Sequence, residues 1–554
     1  MGIFINLSIS TSVTKEEWAD VYNETLRLVN AFPLAERRNL TIRGIQTMCL
    51  TKTREREEHY GWYDEKTRTG WAADGDYVTL RNAERYFLPR DLVTDESYDS
   101  DAPDAMLSRV PAILDYDWND SRFQQYYRLW GAKTQGEPYH LYLLAIACLI
   151  VSRLGPKAYV YGDITKGQCR RAVELANEHL DNKIDIPDQC YPEKLLNRIK
   201  DFSLSETEKL KVFTSLYLGN KDAAFGDKAR EYFSEKAFDE YWKTRFGYYE
   251  ITTYGFSDTL FDYLLWGFDI GKLGGYVSFY DKEGTSHFDA FVRKIMDSKL
   301  YLKLKDCEDY VTIDQEDEEP YGVWTLFAQF ALGGAKNRKV DRYIPLEELR
   351  KSLISAVGDK CDVDQLIEDY LKEESEYRPM DKAELASLSE EDFIEVASHD
   401  PSAVCSELFR AGLQELDDMH DIYDIAEYED LLDFKEQDSV LPPIAEQVRK
   451  FFEFCKSVIK ENQYARLMEE SPKERCEWLV LQNENMLLRD RDWDKIFGDI
   501  MDNPNSFERY YPLVRVQVTS DAVRHVVQAL AINDDLYQYV NSNYCSESTS
   551  RYGE

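Results

Sequence analysis

At four places in this 554-residue chain a serine or threonine stands three residues ahead of a glutamate or glutamine, each time where helical spacing of apolar residues begins: Thr14/Glu17, Thr165/Gln168, Ser205/Glu208 and Ser471/Glu474. In this pattern the hydroxyl accepts from the amide of the third helical residue, whose side chain reaches back to the capping residue's own amide. Asp362 and Gln365 form a weaker version, and Pro472 adds a proline at the first helical position. Each signal fixes a helix start. Pro33, Gly219, Pro442-Pro443 and Pro504 supply stops and breaks between them. No repeat of fixed period is present, so self-similarity does not support a solenoid.

The front end is different. Ile3, Ile5, Leu7 and Ile9 alternate with Phe4, Asn6, Ser8 and Ser10, which predicts a strand with one strongly apolar face. Thr14 then opens a helix that runs to about Ala31, with Val13 and Trp18 placed to staple its entry. Strand-like segments follow at Leu40–Thr51 and Asp76–Arg81, and around Tyr86–Leu88. The fold class expected is therefore α+β and predominantly α-helical: a small N-terminal α/β unit, a large helical body and a helical C-terminal domain. Three acid-rich breaks, at Asp91–Asp104, Asp306–Glu319 and Lys372–Asp392, place domains at 1–93, 105–305, 320–375 and 390–554. Within the last, Leu513–Val518 alternates like a strand and Asp521–Val540 reads as a closing helix.

A net charge of −37 opposes direct binding to nucleic acid or to an anionic membrane and permits a basic protein partner. The richest basic stretch is Lys336-Asn337-Arg338-Lys339 with Arg342, which reads as a solvated turn. The 38 tyrosines suit half-buried positions and interfaces. The longest apolar run, Leu141–Val151, spans about 16 Å as a helix, short of a bilayer core, and reads as a buried core helix. Ten cysteines without a CxxC pair point to free thiols in the cytoplasm. The start, Met1-Gly2-Ile3-Phe4-Ile5-Asn6, lacks the basic region of a signal peptide and the sixth-position Ser or Thr of a myristoylation site.

Few motifs approach known chemistry. The chain has no GxxxxGK[ST], and Gly271, Gly274 and Gly275 precede a strand-like run rather than a helix, so they read as a turn. Seven dispersed histidines give no metal spacing. Asp115, Asp117, Asn119 and Asp120 start like a calcium loop, but Asp120 and Tyr126 stand where glycine and the bidentate glutamate belong. Gly255-Phe256-Ser257-Asp258-Thr259 is the nearest approach to a nucleophile elbow. A strand-like run, Tyr248–Tyr254, precedes it, and Asp269 or Asp281 and then His287 follow in triad order. Thr259 replaces the final glycine, and Ser257 reads instead as a helix cap. Cys169, in the first turn after Thr165 and beside Arg170 and Arg171, sits where a thiol is easily ionised.

The most unusual segment is Gln414–Asp438, with eleven acids against one base, Lys435. Leu416, Met419, Ile422, Tyr423, Tyr428, Leu431, Leu432 and Phe434 are interleaved at helical spacing. The leading reading is an intracellular, non-enzymatic interaction or adaptor protein. A partner with a basic surface would dock at Asp417, Asp418, Asp421, Asp424, Glu427 and Asp430. No catalytic residue, metal ligand or cofactor is assigned. The alternatives are a hydrolase with a non-standard site near Ser257 and an acidic inhibitor of a nucleic-acid-binding protein.

Overall fold

A computed structural model describes residues 2–59, 67–92, 104–117, 125–303, 340–376, 431–435, 442–457, 461–483, 486–515 and 521–544. It is α+β and mostly helical, with two small sheets ahead of many helices. The strands are β1 Phe4–Ser10, β2 Leu34–Ile42, β3 Ile45–Lys52, β4 Arg56–His59, β5 Thr67–Asp76, β6 Asn82–Pro89, β7 Tyr126–Lys133 and β8 Ala158–Gly162. The chain divides into two compact units, the first from 1–28, 91–136 and 140–410, the second from 29–90, 137–139 and 411–554.

In the first unit β1 is the middle of an antiparallel sheet ordered β7-β1-β8, with Leu7 opposite both Trp130 and Val160. The strand expected at Ile3–Ile9 is there, but both its faces are covered. Asn6, Ser8 and Ser10 are buried with the isoleucines, and Asn6 accepts from Arg128 Nη2 at 2.7 Å. Helix α1 (Lys15–Ala31) follows, opened by reciprocal bonds between Thr14 and Glu17 at 2.9 and 3.1 Å. Val13 and Trp18 are both buried there.

A short α2 (Val110–Leu114) comes next and then α3 (Tyr139–Leu154), which carries the apolar run. Every residue from Leu143 to Ile150 is buried. Among the described residues Tyr139–Lys157 is the one helical stretch long and apolar enough to cross a membrane, and it is largely buried inside the protein. The unit continues through α4 (Lys166–His179), α5 (Pro192–Ile199), α6 (Glu206–Leu216), α7 (Ala223–Tyr232), α8 (Glu235–Phe246), α9 (Tyr254–Leu265) and α10 (Phe288–Asp297). Helices Leu346–Val357 and Val363–Glu376 complete what is described of it. Capping boxes open α4 and α6 as the sequence predicts. The core is aromatic at its centre, where Trp242 packs on Trp266 with ring centroids 4.8 Å apart and on Tyr263 at 5.1 Å.

The second unit holds a sheet ordered β3-β2-β5-β4 with β6 on β5. The single strand expected over Leu40–Thr51 is a hairpin. Arg43 and Gly44, with φ of 48° and 82°, form its two-residue turn, the conformation that matches strand twist. Asp76–Arg81 is likewise a turn and not a strand. The Asp76 carboxylate accepts from the amides of Val78 and Thr79 at 2.7 and 2.6 Å, which bends the chain back into β6.

The helices Pro442–Ser457, Glu461–Glu469, Pro472–Gln482, Asp490–Asp502, Asp521–Ile532 and Asp534–Tyr544 build the rest. The third opens with the Ser471/Glu474 box. The strand expected over Leu513–Val518 starts as a 3-10 turn, Leu513–Arg515, and its remainder lies outside the described residues. Buried Arg475 ties the unit together by donating to the carbonyls of Leu467, Met468, Glu470 and Pro504.

Candidate interaction surface

The acidic residues singled out by sequence, Asp417, Asp418, Asp421, Asp424, Glu427 and Asp430, lie outside the described residues. So do Asn119 and Asp120 of the calcium-like run and Lys336–Lys339 of the basic stretch. Of the acidic segment, Leu431–Lys435 is described. Leu431, Leu432 and Phe434 are core residues of the second unit, and the Asn533 amide donates to their three carbonyls at 3.3, 3.1 and 3.0 Å. Arg342 is not part of a solvated turn, because it donates to the Leu264 and Phe268 carbonyls at 3.2 and 2.8 Å and so closes the end of α9.

The nucleophile-elbow geometry is absent at Ser257. No strand precedes it: Phe246 ends α8, and the chain then turns through 247–253 into α9. Ser257 is also not the cap. Thr253 is, accepting from the Phe256 amide at 3.4 Å, while Ser257 lies inside the first turn. His287 and Asp281 do meet, with Nε2 3.0 Å from Oδ2, but no hydrogen bond joins either to Ser257 among the described residues. Asp269 caps a separate 3-10 turn through the Gly271 amide at 2.9 Å. Thr253→Ala should therefore cost about 1 kcal/mol in a denaturant titration, and Ser257→Ala almost nothing. Equal losses would contradict this assignment of the cap.

Cys169 occupies the helix start as expected, but it is fully buried, and the Cys148 thiol beside it helps push its own thiol well above the usual range. It is a packed sulfur, not an activated one. Among the described residues no group of three or more His, Cys, Asp or Glu side chains is arranged to hold a metal ion.

Two buried imidazoles set a pH dependence instead. His140 and His525 are both depressed to about 4, in each case by burial. They are neutral in the fold and titrate at about 6.5 when unfolded. The stability that depends on each staying neutral is complete above about pH 6.5 and falls as the pH drops toward 4. The loss per histidine is about 3 kcal/mol, since each tenfold weakening of proton binding is worth roughly 1.4 kcal/mol. Neither ring nitrogen of His525 has a hydrogen-bond partner among the described residues, so leucine there should be neutral or stabilising at pH 7. The comparison to make is the stability of His525→Leu and wild type at pH 7 and pH 5. The variant should lose less on acidification; equal losses would contradict a buried neutral His525.

What remains is a surface feature. Tyr248, Tyr249, Tyr254 and Tyr280 are 72%, 44%, 44% and 57% exposed, four of ten large apolar or aromatic side chains left open among the described residues. They fall on two neighbouring loops. The first is the α8–α9 turn, with Tyr254 at its end as the first residue of α9. The second is a tight hairpin in which Tyr280 bridges Ser286, Gly284 turns with φ of 87°, and the Asp281 carboxylate accepts from the Thr285 amide at 2.7 Å. The Lys282 ammonium lies 3.9 Å from the Glu250 carboxylate and brings the loops side by side.

Gly255 contributes by lacking a side chain: a Cβ there would lie 2.3 Å from the Tyr249 ring, so the ring rests on bare backbone. Sequence reading missed these residues as a group. Tyrosine richness was the available signal, but Tyr248–Tyr254 reads as a strand-like run, and only the tertiary fold reveals exposure. No protein family, no characterised protein and no solved structure matches this chain.

Proposed function

We propose that this chain is a non-enzymatic interaction or adaptor protein that works in the cytoplasm. The observation that carries the reading is the cluster of exposed tyrosines on adjoining loops of the first unit. Tyrosine gives large contact area at low entropic cost and is enriched where proteins bind one another. Aromatic side chains exposed together on neighbouring loops mark such a site. The seven described cysteines, all free thiols, agree with a reducing compartment. The acidic residues Asp417, Asp421, Asp424 and Asp430 are proposed as a second contact that speeds encounter with a basic partner.

The test is affinity capture from the native cell with wild type, with Tyr248→Ser/Tyr254→Ser/Tyr280→Ser, and with the four aspartates changed to Asn. The tyrosine variant should keep its stability and lose its main partner. The Asn variant should keep that partner with slower association and a flatter salt dependence. If the tyrosine variant returns the same partners at equal yield, the interaction surface is misassigned.

A further inference from the structure

We propose that the tyrosine surface receives an arginine-rich segment of a partner polypeptide. This deepens the interaction reading above and rests on it. Segments 247–258 and 278–289, which carry the four exposed tyrosines, also hold five acids, Glu250, Asp258, Asp281, Glu283 and Asp289, against one base, Lys282. Glu250, Glu283 and Asp289 are exposed on these same segments. A surface of open aromatic faces edged by carboxylates matches guanidinium in both of its contacts: the planar cation stacks on the ring while its N–H groups pair with a carboxylate.

The protein's own cations show how its tyrosine faces are used. Arg109 lies 4.3 Å from the Tyr161 ring centre, Lys194 lies 4.3 Å from Tyr191, and Arg509 lies 4.4 Å from Tyr537. Tyr248 and Tyr280 are the most openly placed of the four, and the Tyr280 ring packs edge-on against Phe288 at 5.8 Å with Lys360 in electrostatic reach. Tyr249 is also held in place before any partner arrives, because its ring is seated on Gly255, so little ordering is left for binding to supply. A polyanion is disfavoured by the same acids. An apolar helix would cover the exposed Glu283 carboxylate without supplying it a partner.

The experiment uses the full chain and three fluorescent peptides of equal length: an arginine–glycine repeat, its lysine counterpart and its glutamate counterpart. Binding is read by anisotropy at about 0.15 M salt, where diffuse attraction beyond roughly 8 Å is screened. Wild type should bind the arginine peptide most tightly, the lysine peptide more weakly and the glutamate peptide not at all. Tyr248→Ala/Tyr280→Ala should weaken the arginine peptide about tenfold, the sum of two exposed ring–cation contacts. Gly255→Ala, which displaces the Tyr249 ring, should weaken it by about threefold.

Equal binding by wild type and the tyrosine variant would overturn the proposal, since it would mean attraction to net charge alone. So would no binding to wild type. If the tyrosine variant of the capture experiment loses its cellular partner while the peptide still binds all forms equally, the arginine-rich partner is wrong and the interaction surface stands. If capture is unchanged as well, both fall.

Discussion

Replacing Lys299 with methionine should destabilise the first unit by about 3 to 5 kcal/mol, the usual cost of breaking a buried ion pair from one side. Lys299 is 1% exposed, just past the end of α10. Its ammonium donates to the Tyr370 hydroxyl at 2.6 Å and to the Glu374 carboxylate, and Tyr370 in turn donates to Asp297 at 2.9 Å. Burial already raises Asp297 above its ordinary carboxylate range. Without the lysine, two carboxylates and a phenol lose the buried ammonium that bonds them, and Lys294 and Arg293 act on Asp297 only through longer-range attraction.

A further comparison separates charge from backbone. Lys299 has a φ of 53°, in the left-handed region that a Cβ disfavours. Lys299→Gly should therefore be about 1 kcal/mol more stable than Lys299→Ala, although it lacks the same contacts. Denaturant titrations of the three variants decide it. A loss below about 1 kcal/mol for methionine would mean that the network holds nothing together. Alanine more stable than glycine would contradict the strain.

Glu36→Ala should cost the second unit about 3 kcal/mol, the lower end of the buried-pair range. The Glu36 carboxylate is buried in β2, with Arg56 Nε at 2.7 Å, Arg38 Nη1 at 3.5 Å and Arg85 Nη2 at 3.9 Å. Asp74 on β5 is buried too and accepts from the Arg37 amide at 2.9 Å and from Arg85 Nη1 at 3.3 Å. Arg37 Nη2 also lies 3.4 Å from Asp74, so two carboxylates hold four guanidinium groups on one sheet. Removing Glu36 takes away the carboxylate that Arg56, Arg38 and Arg85 share. The arginines are partly exposed and regain water, which keeps the cost below the upper limit. Glu36→Gln should lose less than Ala, because the amide oxygen still accepts. Both variants should recover part of their loss in high salt, where guanidinium repulsion is screened. Salt-independent losses would point to packing rather than charge.

The features legible in the sequence are those decided within a few residues. Thr14/Glu17, Thr165/Gln168, Ser205/Glu208 and Ser471/Glu474 all cap helices, because a capping box needs only its own four residues. The α+β class with helical dominance follows from the same local signals. Sequence and structure part where distant chain decides. Ile3–Ile9 alternates, yet its polar side is buried too, because chain more than a hundred residues on closes it in: β7 and β8 pair with its two edges, and Arg128 of β7 reaches over to bond Asn6. Arg43-Gly44 is hard to see as a turn because an arginine at positive φ is an unusual residue for one. Ser257 looks like a cap because it stands near a helix start, but Thr253 lies at the true junction and takes the bond. The tyrosine surface is the least legible of all, since 38 tyrosines are spread along the chain and many of them pack inward.

The central claim is tested most directly by photo-crosslinking in the living cell, with benzophenone-alanine in place of Tyr248 and, as a control on the same unit, in place of Lys236, which is 85% exposed on α8. An interaction surface at the tyrosine loops requires that irradiation shift the position-248 protein into a discrete heavier species containing a second polypeptide, with no such species from position 236. Equal products at both positions, or none at 248, would contradict it.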